Sequence, residues 1–323
     1  MPTEPRLRWG ILGCARITRR GLIPGIRESA RGMLQALGSR DRATAEGWAR
    51  EFAVPKAHAG YQAVLDDPEV DAVYIPLPNE LHKPWVLAAA AAGKHVLCEK
   101  PLAHDAGEAR AMAAECRARG VVLMEAFMWR HQPRTAALRR LVAEGTIGVL
   151  RLVRSSFSFP IAAGDWRLDP ARGGGALWDI GCYGVSTARL FAGAEPESVR
   201  SLARFGPSGV DLSLTAALRF PEGVLGLLDC SFEQPFRCVY ELVGTHGSIE
   251  VPDAYLPPAQ PIARLRGTGR DQDLVFDGRN QYAAMVDAFA VSVADQAHRL
   301  PDPTEDGVAQ MAVLDAILAT ARG

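Results

Sequence analysis

The chain has 323 residues, of which 48% are hydrophobic and 23% are charged, an ordinary globular composition that excludes a disordered chain. This length exceeds what a single hydrophobic core usually supports, so we expect two domains. The net charge of −1 argues against a nucleic acid or an anionic membrane surface as the main partner.

The six cysteines are scattered along the chain, and none belongs to a C-x-x-C pair. Because Cys98 falls inside a predicted strand, we expect reduced core thiols and no metal site. The first ten residues, MPTEPRLRWG, are too polar for a signal peptide, and no apolar run approaches the length of a membrane span. The sequence therefore predicts a soluble, cytoplasmic protein.

Strand-like and helix-like segments alternate through the first 125 residues. Apolar runs predict strands at 7–12, 33–39, 71–78, 94–100 and 121–127, with a weaker strand at 56–59. Such alternation predicts a parallel sheet that helices cover on both faces. We expect residues 1–125 to form a doubly wound Rossmann α/β domain that binds a dinucleotide.

The pattern changes after residue 125. A predicted helix at 134–145 precedes a strand at 149–159, and the glycine-rich bend ARGGGALWDIGCYG then opens a helix that runs to about Gly193. Strands with short connections are predicted at 197–205, 211–220, 224–232, 237–243, 262–266 and 273–276. Residues 126–323 should therefore form an α+β domain on a large, mostly antiparallel open sheet.

The second domain also has a predicted turn, two predicted helices and a predicted helix cap. FPEG at 220–223 is typical of a hairpin turn. Two helices are predicted at 281–298 and 305–322. Thr304 is the predicted N-cap of the second, with prolines just upstream.

The turn after the first strand is the first candidate cofactor site. A dinucleotide fingerprint reads G-x-G-x-x-G/A, because its glycines allow a tight turn and close approach of the pyrophosphate. Here the frame GCARIT keeps only the first glycine. Its position between a strand and a helix still favours nucleotide binding over a plain turn, and we expect cofactor contacts from Gly13, Ala15, Arg16 and Ile17.

The second strand ends in LGSRDR, where such folds bind the adenosine ribose. An acidic residue there would accept from the 2′-hydroxyl, whereas an arginine suits a 2′-phosphate. Ser39 and Arg40 come first, and Asp41 follows. Because Arg40 offers a charged fork to a phosphate, we predict NADP. NAD stays the alternative in case Asp41 turns toward the ribose.

The third long strand ends in IPLPNELH. Its prolines stiffen the loop at the carboxyl end of the strand, where ligands bind in such sheets. We expect Pro76, Asn79 and His82 to lie near the cofactor. Asn79 is equally well explained as a helix cap, and His82 as a surface residue.

The stretch VLCEKPLA at 96–103 ends a buried strand with an acid, a base and a proline. An isolated Glu-Lys pair would be a surface salt bridge of little energetic value. Taken with GILGCARI, PLPNELH, MEAFMWRH and DWRLDPARGGGALWDIGCYG, however, the stretch resembles the Gfo/Idh/MocA oxidoreductases, and the likeness covers essentially the whole chain. It is most similar to the branch of glucose–fructose oxidoreductases, NADP-linked D-xylose 1-dehydrogenases and dimeric dihydrodiol dehydrogenases.

The resemblance implies a set of catalytic residues. Lys100 matches the lysine of the family's Glu-Lys-Pro motif, which bridges nicotinamide and substrate, and Glu99 would orient it or keep it charged. Asp179 matches the catalytic aspartate. Tyr183 falls four places further on, where many relatives have histidine and this branch has tyrosine.

Two Trp-Arg pairs complete the implied site. Trp166 and Arg167 match a pair that this branch brings toward the cofactor from the second domain. Trp129 and Arg130 would provide a stacking face and hydrogen bonds for a sugar, with ordinary packing as the alternative.

The physical chemistry of Tyr183 agrees with this assignment. Asp179 and Tyr183 are four residues apart, which places them on one face of an α-helix. A phenol normally titrates near about pH 10, and a nearby ammonium lowers that pKa. Lys100 would thus make Tyr183 a usable general base.

We therefore expect an NADP-dependent oxidoreductase acting on a sugar or related cyclic polyol, with oxidation of an aldose at C1 to the lactone favoured. Three other functions stay open: NAD-dependent glycoside processing by transient oxidation, trans-dihydrodiol dehydrogenation, and non-catalytic dinucleotide sensing. The resemblance also implies a homodimer or higher oligomer formed through the sheet of the second domain. Apolar residues on both sides of the strand at 224–232 agree with that pairing.

Overall fold

Two compact units make up the described part of the chain. The computed structural model describes residues 6–267, 269, 271–295 and 302–323. The first unit lies within Met1–His131 and Asn280–Val308, and the second within Gln132–Arg279 and Ala309–Gly323. The chain thus returns to the first unit after residue 279, which the single predicted boundary at 125/126 did not anticipate.

The described residues form strands and helices in the following order. The strands are β1 (Leu7–Leu12), β2 (Gly32–Ser39), β3 (Lys56–Ala59), β4 (Ala72–Ile75), β5 (His95–Cys98), β6 (Leu123–Glu125), β7 (Leu150–Ser158), β8 (Ser198–Phe205), β9 (Asp211–Arg219), β10 (Leu225–Ser231), β11 (Arg237–Gly244), β12 (Ser248–Pro252), β13 (Ile262–Arg266) and β14 (Gln272–Val275). The helices are α1 (Ile23–Glu28), α2 (Arg42–Glu51), α3 (Gln62–Leu65), α4 (His82–Ala91), α5 (Ala106–Ala118), α6 (Pro133–Ala143), α7 (Cys182–Ala192), α8 (Gln281–Ala294) and α9 (Pro303–Ala321).

The first unit contains a six-stranded sheet in the order β3-β2-β1-β4-β5-β6, with every neighbouring pair parallel. All four residues of β4 are buried, as expected for a strand that is covered on both faces. This topology confirms the predicted doubly wound Rossmann domain. The strand order reverses between β1 and β4, so the ligand crevice lies at the carboxyl ends of these two strands.

Helix α8 belongs to this first unit, although the sequence assigned it to the second domain. The ring of Tyr282 fills the space beside Gly21, and its Cβ fills the space beside Gly25, since a Cβ at either glycine would come within 2.5 Å of it. The ring of Phe289 lies 5.0 Å from that of Trp9 in β1. An apolar helix pattern does not identify the sheet that the helix will cover, so this assignment needed the tertiary contacts.

The second unit contains an eight-stranded sheet in the order β14-β13-β12-β11-β7-β10-β9-β8. Among the described strands, β7 and β10 pair in parallel and the other pairs are antiparallel, which confirms the predicted mostly antiparallel sheet. The predicted turn forms as Pro221–Gly223 between β9 and β10. Strand β12 was missed because its sequence, SIEVP, is short and holds a glutamate and a proline.

Helix α7 packs on the middle of this sheet. A Cβ at Gly184 would lie 3.0 Å from the Cβ of Leu228 in β10, so the glycine permits the close approach. Successive strand residues alternate between faces. The face away from α7 therefore carries Leu202, Leu225 and Leu227, which are 79%, 48% and 41% exposed.

The start of α9 corrects one predicted cap. The backbone N–H of Thr304 donates to the carboxylate of Asp302 over 2.9 Å, so Asp302 caps the helix. The Thr304 hydroxyl instead donates to the carbonyl oxygen of Leu123 over 3.0 Å. The helix predicted at 281–298 ends at Ala294, and residues 296–298 lie outside the described residues.

No helix among the described residues is both long and apolar enough to cross a bilayer.

Candidate active site

The turn after β1 lies against the loop that follows β4. Gly13 has a φ of +124°, a backbone conformation that glycine adopts without strain. A Cβ at this position would lie 3.1 Å from the Leu77 side chain and 4.0 Å from Pro76. Gly13, Pro76 and Leu77 therefore meet at the switch point of the sheet, where dinucleotides bind.

The helical segment after this turn contains a buried threonine hydroxyl group. The Thr18 side chain is fully buried, and its hydroxyl has no hydrogen-bond partner within the described part of the chain. Buried hydroxyls normally have partners, and phosphates bind readily at helix starts. Ala15 and Ile17 are half-buried and Arg16 is exposed beside it. These residues fit the pyrophosphate of a dinucleotide.

The end of β2 presents a cation rather than a carboxylate. Arg40 is exposed, and its guanidinium lies beside the Tyr61 hydroxyl. Burial raises the pKa of Tyr61, and Arg40 acts in the opposite direction. The Asp41 carboxylate instead caps α2 by accepting from the backbone N–H of Thr44 over 2.9 Å. Ser39 is almost fully buried beside them.

The structure contradicts the alternative interpretations of Asn79 as a helix cap and of His82 as a surface residue. Asn79 is 5% exposed and opens a short 3₁₀ turn whose cap position falls on Pro78. His82 is fully buried, with Nε2 2.8 Å from the carbonyl oxygen of Leu77 and Nδ1 3.0 Å from that of Pro101. Its ring therefore lies between the loops after β4 and β5, within hydrogen-bond distance of a carbonyl oxygen from each.

Burial also determines the protonation of His82. Burial lowers its pKa because the cation loses its hydration, and the surrounding backbone carbonyl groups oppose that shift. Either neutral tautomer donates to one of the two carbonyl oxygens.

The Glu99-Lys100-Pro101 segment follows β5 directly, and the Lys100–Pro101 peptide bond is cis. The Tyr74 hydroxyl donates to Oε1 of Glu99. Burial, together with the Glu99 carboxylate, raises the pKa of Tyr74 well above its usual value, so the phenol stays a neutral donor. Lys100 itself is half-buried.

Trp129 and Arg130 do not form the open stacking face that the sequence predicted. Trp129 is fully buried, and Arg130 forms an ion pair with Asp306 that leaves only 18% of the arginine side chain exposed. The alternative interpretation, ordinary packing, accounts for both residues.

In the second unit, the three-glycine run shapes the turn before α7. A Cβ at Gly174 would lie 2.4 Å from the carbonyl oxygen of Arg167, and one at Gly175 would lie 2.3 Å from Oδ1 of Asp211. The Asp211 carboxylate accepts from the backbone N–H of Leu177 over 2.6 Å. Burial raises the pKa of Asp211 to about 6, although the hydrogen bonds from the backbone act to lower it. The two glycines are therefore required because the turn lies so close to the Arg167 carbonyl group and to the Asp211 carboxylate.

This turn joins Arg167 to Asp179. The Nε of Arg167 donates to Oδ2 of Asp179 over 2.8 Å, and the two side chains are 23% and 13% exposed. A second ion pair connects Arg167 to Asp165 at 3.3 Å. The guanidinium carbon of Arg167 lies 4.8 Å from the ring centre of Trp166. One arginine therefore orders both the predicted catalytic aspartate and the tryptophan.

Tyr183 lies in the first turn of α7, where its ring is 4.7 Å from that of Tyr255 and 5.5 Å from that of Phe157. Asp179 belongs to the preceding π-helical turn, Leu177–Gly181. The expectation that Asp179 and Tyr183 share a face assumed an α-helical repeat, and the π-helical turn adds a residue to it. Such turns are frequent at functional sites.

Sequence reasoning missed three side chains that hold these loops: Tyr61, Tyr74 and Asp211. Each lies in or next to a strand and looks there like an ordinary core or edge residue. One signal was present, because a phenol within the apolar run AVYI must find a hydrogen-bond partner once it is buried.

Two family models match the chain. The model described as "Oxidoreductase family, NAD-binding Rossmann fold" matches residues 7–127, and the model described as "GFO/IDH/MocA C-terminal domain" matches residues 135–250. Together they cover well over half of the chain, and the first confirms a dinucleotide-binding domain.

Relatives and solved structures agree with this match. The chain is 39% identical over 319 residues to D-xylose 1-dehydrogenase (NADP(+)) 2 of Haloferax volcanii, covering 98% of this chain and 97% of that protein. It is 36% identical over 257 residues to trans-1,2-dihydrobenzene-1,2-diol dehydrogenase of Mus musculus, covering 78% and 76%. It is similar to the structure of KijD10, a 3-ketoreductase from Actinomadura kijaniata in complex with NADP and TDP-benzene, with a TM-score of 0.90, 34% identity and 98% of both chains covered. The predicted branch is confirmed.

Proposed function

Because this chain belongs to the GFO/IDH/MocA family of oxidoreductases, we propose that it is an NADP-dependent sugar dehydrogenase that oxidises an aldose at C1 to the lactone. The observation that carries the proposal is the nearly full-length match to the NADP-dependent D-xylose dehydrogenase of Haloferax volcanii. The residues expected to perform the chemistry, Lys100, Asp179 and Tyr183, are all present in this chain.

The preference for NADP rests on the end of β2. Arg40 is exposed beside Tyr61 and can pair with a 2′-phosphate. Its planar guanidinium can donate two parallel hydrogen bonds to the phosphate oxygens. Asp41, which would favour the ribose hydroxyl of NAD, is engaged in capping α2. In that cap, Oδ2 of Asp41 accepts from the backbone N–H and from the hydroxyl of Thr44, so both compete with a ribose hydroxyl for the carboxylate.

The proposed reaction removes a hydride from C1 and a proton from its hydroxyl. The bound nicotinamide supplies the hydride acceptor. Tyr183 reacts as the phenolate and takes the hydroxyl proton, which leaves a neutral phenol, and Lys100 stabilises the negative charge that develops on the substrate oxygen as the proton leaves. Asp179, held by Arg167, accepts a hydrogen bond from the sugar and orients it.

A second candidate runs in the reductive direction. The similarity to the 3-ketoreductase KijD10 is also nearly full-length, and that structure contains TDP-benzene and NADP. By that analogy, the substrate would be a keto sugar carried on a nucleoside diphosphate, and Tyr183 would donate the proton instead of accepting it.

A substrate screen tests these proposals. The purified protein is incubated with NADP or NAD and a panel of aldoses, trans-dihydrodiols and aryl glycosides, and in a second series with NADPH and nucleoside-diphosphate keto sugars, with NADPH absorbance as the readout. Formation of NADPH with a free aldose, together with lactone in the product, supports the first proposal. Turnover limited to keto-sugar reduction favours the second. Cleavage of glycosides without net reduction of added NADP would contradict both.

A further inference from the structure

Three buried side chains hold the residues next to Lys100, and each comes from a different element. These contacts join Tyr74 to Glu99, His82 to Pro101 and Glu125 to Leu102. Tyr74 belongs to β4, His82 begins α4, and Glu125 ends β6. We refer to Tyr74, His82 and Glu125 as the Lys100 cradle.

The contact on the amino-terminal side of Lys100 comes from Tyr74. Its side chain is fully buried, and its hydroxyl donates to Oε1 of Glu99. Because burial keeps the pKa of Tyr74 well above its usual value, the phenol does not lose this proton near neutral pH. Glu99 is therefore fixed by a donor that water does not reach.

The contacts on the carboxyl-terminal side come from His82 and Glu125. The imidazole of His82 lies between the carbonyl oxygens of Leu77 and Pro101, at 2.8 and 3.0 Å. The carboxylate of Glu125, which is 5% exposed, accepts from the backbone N–H of Leu102 over 3.0 Å. Hydrogen bonds at such buried positions are stronger than exposed ones, and losing one leaves a polar group unpaired.

The three contacts fall on Glu99, Pro101 and Leu102, which lie on either side of the half-buried Lys100. We propose that the Lys100 cradle sets the position of the Lys100 ammonium in the reaction, so that Tyr74, His82 and Glu125 are positioning residues. The inference rests on the proposed role of Lys100 in the sugar dehydrogenase. A flexible lysine gains most from such support, because a displacement of about 1 Å at a reacting group can cost about 10²-fold in rate.

Variants of the cradle test this proposal in the full-length protein with NADP and D-xylose, or the aldose with the highest turnover in the screen. Tyr74→Phe removes one oxygen and preserves the core, and His82→Leu removes both ring nitrogens. We expect kcat to fall about 10- to 100-fold in each. The dissociation constant for NADPH, measured by its fluorescence, should change by less than about threefold, since adenosine and pyrophosphate bind at other loops.

The matched control lies at the amino-terminal end of β5, the strand that precedes Lys100. His95 begins β5 and accepts a hydrogen bond from the backbone N–H of Val122 over 3.0 Å. His95→Leu should leave kcat unchanged, and because His95 is only half-buried it should lower the melting temperature less than His82→Leu does. Glu125→Gln keeps an oxygen that can accept from Leu102 and should retain most activity, whereas Glu125→Met should lose it.

A double-mutant cycle separates positioning from general support of the fold. If His82 and Tyr74 act through Lys100, their substitution in a Lys100→Met background should cost less than about threefold further. A full multiplicative loss in that background would show that they act elsewhere, and unchanged kcat in both single variants would overturn the proposal.

A readout that needs no substrate completes the test. Amide hydrogen exchange of the peptide spanning residues 99–103 should be faster in Tyr74→Phe and His82→Leu than in His95→Leu. Equal exchange in all three would contradict the cradle. Normal turnover in Lys100→Met, by contrast, would refute the role of Lys100 in the reaction. The exchange rates would then show separately whether the Lys100 cradle holds residues 99–103 in place.

Discussion

Arg167 donates through Nε to Oδ2 of Asp179 over 2.8 Å, and this ion pair connects the segment before the three-glycine turn to the π-helical turn after it. The connection depends on the glycines, because a Cβ at Gly174 would collide with the carbonyl oxygen of Arg167. A side chain twelve positions away thus fixes the carboxylate on which the proposed substrate orientation depends.

Arg167→Leu should therefore lower kcat/KM about 10- to 100-fold, because a hydrogen bond to a charged group contributes about 1.5–3 kcal/mol. The measurement is steady-state kinetics with the aldose from the screen. Arg172→Leu is the matched control, since its guanidinium also lies over the Trp166 ring, at 5.6 Å. Equal losses in both variants would assign the effect to packing on Trp166.

Lys100→Met should reduce turnover about 10²–10³-fold, because it removes a preorganised charge that is needed mainly in the transition state. Tyr183→Phe should cause a similar loss, since general-base transfer contributes about 10²–10⁴-fold. The double variant should lose little more, as expected for groups that act as a unit. Near-normal turnover in Lys100→Met with a confirmed substrate would refute this assignment.

Arg40→Ala should weaken NADP binding by about 1.5–3 kcal/mol and leave NAD binding nearly unchanged, because only NADP carries the 2′-phosphate. Dissociation constants for both cofactors provide the measurement. Arg42→Ala is the control, because that exposed arginine pairs with Glu46 within α2. Equal losses for NADP and NAD would mean that Arg40 does not contact the phosphate.

Asp211 should make the protein less stable as the pH rises. Burial raises its folded-state pKa from 3.8 to about 6, so within this window the folded protein keeps a proton that the unfolded chain has lost. The free energy of unfolding therefore falls with increasing pH across this range, by about 3 kcal/mol for a shift of about two pKa units. Asp211→Asn, which keeps an oxygen acceptor for Leu177, should remove this part of the pH dependence. Urea unfolding of both proteins below and above the window measures it, and parallel curves would contradict the prediction.

The open face of the second sheet should pair with a second copy of the chain. Leu202 and Leu227 are 79% and 41% exposed on the face that α7 leaves uncovered. Apolar side chains grouped on one sheet face favour an interface. Sedimentation should show a dimer or larger oligomer at micromolar concentration, and Leu227→Asp should dissociate it. Val291→Asp, at an exposed apolar residue of α8, is the control and should leave the assembly intact.

Much of the fold follows from local pattern alone. Strand and helix periodicities are properties of short segments, so the alternating first domain, the mostly antiparallel second sheet and the turn at 220–223 were predictable. The Glu-Lys-Pro stretch and the three-glycine run are likewise local, and they identified the family before any contact was known.

Tertiary structure alone decided what each polar side chain contacts. Asp41 caps its own helix, and His82 lies between two loop carbonyl oxygens. Trp129 is buried in the core. Asp211 lies 34 positions from the backbone N–H that it accepts from. Such pairings join residues that are distant in the sequence, and each is selected by the requirement that a buried polar group find a partner. A local pattern shows that a group will be buried, but only the folded chain determines which partner it meets.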